Sequence, residues 1–173
     1  MKNKISVVIP VYFNEGSLPQ LFEALERVEA ELLVRELSLE LIFVDDGSSD
    51  NSIARLLEFK VKRPETKVVK LTRNFGAIKC SKTGLNFVTG DAFVILAADL
   101  QDPPNLIVDM VDKWIEGSRF VICERISRDD PIFKKIFAGI FYKLVRLLVM
   151  KNYPKGGFDL ALMDALFLPY LLN

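Results

Sequence analysis

Five short apolar runs recur along the chain: Ile5–Pro10, Leu39–Asp46, Lys67–Thr72, Ala92–Asp99 and Arg119–Glu124. Each is rich in β-branched residues and shows little polar alternation, the pattern of strands covered on both faces. Helical patterns fill the intervals. Leu18, Leu21, Phe22, Leu25, Val28 and Leu32 make an apolar face at helical spacing, and Ser17 with Gln20 is a capping-box pair at its start. A shorter helix is predicted after Ser48-Ser49-Asp50-Asn51, with Ile53, Leu56 and Leu57 on one side. A third, from about Gly76, carries Ala77, Cys80, Ser81, Gly84 and Leu85, small enough to lie close to its neighbours. The fourth follows Pro103-Pro104 and would bury Leu106, Ile107, Met110, Val111 and Trp114. Strand–helix alternation of this kind predicts an α/β fold, a mostly parallel, doubly wound sheet with right-handed crossovers and helices on both faces.

The 173 residues suit one domain, or one domain and a fragment of the next, and 50% are apolar, enough for a sizeable core. Twenty-three basic and 23 acidic side chains cancel overall. They are unevenly placed: Arg125 to Lys155 holds eight Lys/Arg against two Asp, which marks a segment with a partner of its own. The chain has no histidine, so imidazole bases and His-ligated metals are excluded and any metal must sit on oxygen. Cys80 and Cys123 stand far apart in apolar contexts, reading as buried thiols of a cytosolic protein and not as a zinc site. The first strand follows directly on Met-Lys-Asn-Lys, and no apolar run approaches the ~18 residues of a membrane span. The chain as it stands is therefore expected neither to be secreted nor to cross a bilayer.

In doubly wound sheets ligands bind outside the carboxyl ends of the strands. Here those ends read "PVYFNEGS", "DDGSSD", "RNFG" and "ADLQDPP". Any one of these is an ordinary turn composition. Four arriving at one edge would gather carboxylates that repel unless a cation or hydrogen-bond donors compensate. The Gly-x-Gly-x-x-Gly and P-loop patterns are absent, which argues against a dehydrogenase or a P-loop ATPase. Carboxylates without histidine suit Mg²⁺ or Mn²⁺, which in turn suit a diphosphate. A nucleotide diphosphate held through a divalent ion is the ligand expected on physical grounds.

"ISVVIPVYFNEGSL", "IFVDDGSSDNS", "LTRNFG" and "ADLQDPP" also resemble the successive motifs of family 2 inverting glycosyltransferases, of the type that includes dolichyl-phosphate mannose synthase and bacterial polyprenyl-phosphate glycosyltransferases. The likeness spans residues 4 to about 164. It implies a GT-A fold, with a Rossmann-like nucleotide-sugar-binding core over residues 1–124 and an acceptor-side segment over 125–173. It implies that Pro10, Tyr12, Glu15, Asp45 and Asp46 line the base and ribose of a nucleotide-diphosphate sugar, while Asp99 and Gln101 face the metal and diphosphate. One position departs from the family pattern: relatives usually carry Asp-x-Asp where this chain has Ala97-Ala98-Asp99. Either Asp99 and Gln101, with Asp102 near, hold the ion together with the phosphates and water, or metal dependence is weakened. A binding domain without catalysis is the other reading of Ala97.

Two acceptor chemistries stay open. A lipid phosphate, with a second pKa near 6, is largely dianionic at neutral pH and needs cations, not a base. Arg125 and Arg128 stand where polyprenyl-phosphate relatives place acceptor-binding arginines; alternatively they pair with Asp129 and Asp130 in a solvated loop. A glycan hydroxyl, as in cell-surface polysaccharide synthesis, would need a carboxylate base, for which Asp159 is the candidate, unless Asp159 braces the loop after Gly156-Gly157. Residues 130–150 form an amphipathic basic helix pattern, with Phe133, Ile136, Phe137, Ile140, Phe141, Leu144, Leu147 and Leu148 on one face. It would lie on the cytoplasmic face of a membrane, or pack on the sheet or on a second subunit. The ending "ALFLPYLLN" reads as a cut within an apolar element, and the resemblance leads us to expect further helices beyond Asn173. Nucleic acid is not an expected partner.

Overall fold

A computed structural model describes residues 3–124 and 158–173, without the side chains of residues 158 and 159. The elements run β1 (Lys4–Val11), α1 (Leu18–Val34), β2 (Ser38–Asp45), α2 (Ser52–Lys62), β3 (Lys67–Lys70), α3 (Ala77–Leu85), β4 (Ala92–Ile95), α4 (Leu106–Ile115), β5 (Phe120–Glu124) and β6 (Phe158–Asp164). A 3-10 turn and a short helix, Leu168–Leu172, follow. The six-stranded sheet has the order β3-β2-β1-β4-β6-β5. β1 pairs in parallel with β2 and with β4, and β2 with β3, as the apolar runs predicted.

β6 departs from the expected pattern. It runs antiparallel between β4 and β5, pairing Phe93 with Met163 on one side and Ile122 with Ala161 on the other. The segment "FDLALMD", which carries the candidate base Asp159, is not among the five apolar runs expected as strands. Tertiary pairing on both sides makes it a strand: Leu160 and Leu162 are buried at 1% and 0% exposure. β6 thus comes from beyond residue 124 but belongs to the core sheet.

Strand alternation divides the core in two. Ile5, Val7, Ile9, Leu41, Phe43 and Val94 face α1, α2 and α4, whose Leu21, Leu25, Leu56 and Met110 join the same cluster. Val8, Ile42, Val44 and Phe93 face α3, with Cys80 and Leu85. The expected face of α1 is buried at Leu18, Leu21, Leu25, Val28 and Leu32. On α2 the buried pair is Leu56 and Phe59, while Leu57 stands 51% exposed, a correction to the predicted face. Phe59 stacks on Phe22 at 4.1 Å between ring centroids, which an aromatic achieves from a position Leu57 cannot reach. The small-residue reading of α3 holds: a Cβ at Gly84 would stand 2.3 Å from Val8 Cγ1, so only glycine lets the helix sit this near the sheet.

The capping box does not form. Ser17 occupies the N-cap of α1 without a side-chain cap bond; its Oγ donates instead to the Ala98 carbonyl at 2.7 Å. That bond ties the start of α1 to the loop after β4. Cys80 is buried as expected, whereas Cys123 is only half-buried.

Candidate functional site

β1 forms the hinge of the strand order. The chain goes from β1 to β2 on one side, and β4 lies on the other, so the crevice past the carboxyl ends of β1 and β4 is the topological switch point where ligands bind in such sheets. A cleft of about 270 Å³ opens there. Pro10, Val11, Tyr12 and Asn14 line it from β1 and its loop, and Asp46 from the end of β2. Asn74, Gly76, Ala77 and Cys80 come from the loop before α3 and from α3 itself, and Ala97, Ala98 and Asp99 from the loop after β4. All four polar strand ends singled out in the sequence therefore surround this edge, with Asp46 and Asp99 in one cleft.

The two adjacent aspartates of "VDDGS" have different duties. Asp46 is 4% exposed, and its two oxygens accept the Phe75 and Gly76 amides at 2.8 and 2.9 Å. It thereby pins the loop that leads into α3. Gly47, with φ of 73°, allows this approach: a Cβ there would stand 2.7 Å from the Arg73 carbonyl carbon. Asp45 is fully buried and does not line the cleft. Its Oδ1 accepts the Ser48 amide at 3.3 Å, while Oδ2 is buried with no hydrogen-bond partner among the described residues. An orphaned buried carboxylate oxygen is costly and is retained mainly where function requires it.

Asp99 is exposed in the cleft. Its Oδ1 accepts the Gln101 amide at 3.1 Å, closing a turn in which Leu100 has a positive φ of 62°, and Oδ2 has no protein partner among the described residues. A non-glycine residue in that region costs roughly 1 kcal/mol or more, which places local strain beside the free carboxylate oxygen. Phe13, in the opposite wall's loop, is likewise left-handed at φ 54°, with its amide bonded to Ser48 Oγ at 3.1 Å.

The other candidate residues are distributed as follows. Pro10 and Tyr12 line the cleft. Glu15 is exposed and outside the lining; its Oε2 accepts the Asn51 amide at 2.7 Å at the start of α2. Gln101 is exposed and also outside the lining. Arg125, Arg128 and the amphipathic stretch 130–150 lie outside the described residues, and of Asp159 only the backbone, in β6, is described. No three His, Cys, Asp or Glu side chains converge as a ready-made metal cage among the described residues. The expected crowding of carboxylates is thus relieved by geometry: backbone amides take up Asp46, and Asp99 is the exposed carboxylate of the cleft.

Asn14, Asn74 and Cys80 were not among the site residues expected from the sequence. Asn14 Oδ1 accepts the Tyr12 amide and Asn74 Oδ1 the Gly76 amide, at 2.8 and 2.9 Å, so both shape the loops that form the walls. Their signal was the Asn within each polar strand end. Burial, followed by the nearby Asp46 carboxylate, pushes the Cys80 thiol up to about 11. It stays protonated at neutral pH and is unsuited to nucleophilic chemistry.

Comparison with known proteins adds a family. Residues 6–164 match the model of glycosyl transferase family 2. The chain is 38% identical over 160 residues to the uncharacterized glycosyltransferase YkcC of Bacillus subtilis strain 168, covering 92% of this chain and 49% of that protein. It is 37% identical over 156 residues to the undecaprenyl-phosphate 4-deoxy-4-formamido-L-arabinose transferase of Yersinia enterocolitica, covering 89% of this chain and 46% of that one. The chain thus spans about half the length of the curated relatives it matches. Among solved structures, the mannosyltransferase PcManGT of Pyrobaculum calidifontis, in complex with GDP-Man and Mn²⁺, superposes with a TM-score of 0.61 at 22% identity, over 99% of this chain and 47% of that one.

Proposed function

The chain belongs to glycosyl transferase family 2 and has the GT-A fold, and on that premise we propose that it moves a sugar from a nucleotide-diphosphate sugar, with inversion, to a polyprenyl phosphate. The observation that carries this reading is the shared cleft at the switch point, where Asp46 and Asp99 come together from the ends of β2 and β4. Relatives named as undecaprenyl-phosphate transferases support the acceptor class.

In this reading Pro10, Tyr12 and Asp46 face the nucleoside, with Glu15 and Asp45 shaping that wall from behind. Oδ2 of the exposed Asp99, without a partner among the described residues, fits one ligand of a Mg²⁺ or Mn²⁺, an ion that commonly keeps several waters and needs only one or two carboxylates. Gln101 is its neighbouring oxygen donor. When bound, such an ion supplies charge neutralisation to a departing diphosphate. The strained turn at Leu100 holds the Asp99 carboxylate in place, so little reorganisation is needed when the donor arrives. A dianionic phosphate attacks the opposite face of the anomeric carbon without a general base, and Arg125 and Arg128 would hold it beside an anionic donor.

The basic segment 125–155 would bring the protein to an anionic membrane surface, each Lys or Arg near it contributing about 1 kcal/mol. Among the described residues no helix is long and apolar enough to cross a membrane. Ala97, exposed in the cleft where the family pattern usually has an aspartate, favours a second reading, a sugar-nucleotide-binding module without turnover.

The test is release of nucleoside diphosphate by the intact protein from a panel of sugar nucleotides, with Mg²⁺ or Mn²⁺ and polyprenyl phosphate. Release that requires both the ion and the lipid phosphate supports transfer. Thermal stabilisation by a sugar nucleotide without release supports the binding module. Transfer to a glycan hydroxyl, lost in Asp159→Asn, would replace the lipid-phosphate acceptor.

A further inference from the structure

The loop that carries Asp99 is tied to the loop after β1 through the Ser17 hydroxyl. At the carboxyl end of β4 the Leu96 amide donates to the Val8 carbonyl at 2.9 Å. Two residues on, the carbonyl of Ala98, a residue only 3% exposed, accepts the Ser17 hydroxyl at 2.7 Å. That carbonyl belongs to the peptide unit that ends at the Asp99 nitrogen. Because the unit is planar, holding its oxygen fixes the direction in which Asp99 leaves. On its other side Ser17 meets Asn14, whose Nδ2 donates to Ser17 Oγ at 3.3 Å and whose carbonyl accepts the Ser17 amide at 3.0 Å. Asn14 in turn holds the Tyr12 amide on its Oδ1 at 2.8 Å, and its own amide donates at 2.9 Å to Oγ of the buried Ser52, at the start of α2. We propose that Ser17 is a positioning residue that couples the nucleoside wall at Tyr12 to the Asp99 carboxylate, so that the two ends of a bound nucleoside diphosphate are gripped together. The inference rests on the reading that such a ligand and a divalent ion occupy the cleft, and adds the side chain that sets one hold against the other.

Two observations favour this duty over helix capping. A serine at an N-cap ordinarily accepts an amide proton of the first turn. Ser17 makes no such bond and directs its hydroxyl out of the helix. The same oxygen lies 3.3 Å from the Asn14 carbonyl, but a hydroxyl has one proton to give, and Ala98 is the nearer acceptor. The second observation is the make-up of the loop. Ala97 and Ala98 offer no polar side chain that could anchor it, so its placement depends on a donor reaching in from another element. Nor does a carboxylate at position 97 stand beside Asp99 to share an ion. A shift of Asp99 is therefore not compensated by a neighbour, and the bond that fixes its backbone acts directly on the site.

Calorimetric titration of the intact protein with UDP, GDP, CDP and dTDP, each in Mn²⁺ and in EDTA, tests the assignment. In Ser17→Ala the gain in diphosphate affinity that Mn²⁺ brings is expected to shrink about three- to tenfold, the range that one net hydrogen bond covers, while the affinity in EDTA stays unchanged. Ser17→Thr keeps the hydroxyl and should restore the gain. Ser17→Gly, which an N-cap tolerates, should repeat the loss and serves if the alanine variant fails to fold. A lower melting temperature with the Mn²⁺ gain intact in the alanine or glycine variant would make Ser17 a structural brace and overturn the assignment. So would a loss equal in Mn²⁺ and in EDTA, or a loss that Ser17→Thr does not repair. Each of these leaves the donor reading standing, because the wild-type gain persists. A wild-type protein that gains nothing from Mn²⁺ with any of the four nucleotides refutes the divalent-ion reading and the coupling together.

Discussion

The two ends of the parallel sheet use buried polar groups in opposite ways. At the amino end, Glu40 is 8% exposed and fully engaged. Its Oε1 accepts the Lys67 ammonium and the Thr89 hydroxyl, both at 2.7 Å, and its Oε2 accepts the Ser6 hydroxyl at 2.5 Å and the Thr89 amide at 2.9 Å. Ser6 Oγ in turn accepts the Gly90 amide at 2.9 Å. Burial alone would raise the Glu40 carboxyl, but the Lys67 ammonium and the Ser6 and Thr89 donors outweigh it and hold it down at about 2. At the carboxyl end, among the described residues, one buried oxygen of Asp45 and Oδ2 of Asp99 have no hydrogen-bond partner, and Phe13 and Leu100 occupy left-handed backbone. A polar group satisfied within the fold contributes to stability. One without a partner among the described residues is where the proposed ligand would supply it.

The largest effect that would sharpen this contrast is Asp99→Asn. Because the side chain is exposed and its turn can persist, the melting temperature is expected to stay within about 1 °C, while nucleoside diphosphate release falls on the order of a hundredfold or more. A large loss of stability with activity retained would reverse the assignment of the two ends.

Gly47→Ala comes next. Its φ of 73° and the Arg73 backbone 2.7 Å from the new Cβ predict a loss of about 1–3 kcal/mol in urea denaturation, with the Asp46-pinned loop displaced. An unchanged midpoint would show that the close approach of the two loops is not required.

At the opposite end, Glu40→Gln should cost about 2 kcal/mol at pH 7 through the weakened Lys67 and hydroxyl contacts, with no change in sugar-nucleotide binding. The pH dependence has a definite sign. A carboxyl held below its unfolded value stabilises the fold fully above about pH 4.5, and that contribution is lost as pH falls toward about 2. In Glu40→Gln the acid limb of the stability profile should flatten over that window. An identical limb in both proteins would remove Glu40 as its cause.

The smallest effect is expected from Asp45→Asn. Replacing a buried carboxylate whose Oδ2 has no partner among the described residues with its neutral isostere, which keeps an oxygen for the Ser48 amide, should leave stability unchanged to within about 0.5 kcal/mol or raise it slightly. A drop comparable to that of Glu40→Gln would mean that Asp45 is as fully engaged as the groups at the other end.

The amphipathic face of α1, the small-residue face of α3 and the polar strand ends were legible in the sequence, because periodicity and turn chemistry are local properties. So was the family resemblance, through four motifs in order. The strand character of "FDLALMD" was not, since it depends on β4 and β5 pairing from both sides. Nor was the duty of Ser17, whose capping-box position promised a helix N-cap but whose hydroxyl reaches a carbonyl 81 residues away in the chain.

The residue types and their order by themselves determined a mostly parallel α/β sheet with polar, carboxylate-bearing loops at the carboxyl ends of its strands. Only the tertiary structure decided which carboxylates remain available there. In sequence Asp45 and Asp46 are interchangeable neighbours, but at the end of a pleated strand adjacent side chains leave in different directions. Asp46 meets the Phe75 and Gly76 amides, and Asp45 is sealed inside with one oxygen unmatched. Asp99 stays open because its turn projects it into the cleft, and that depends on the packing of loops distant in the chain.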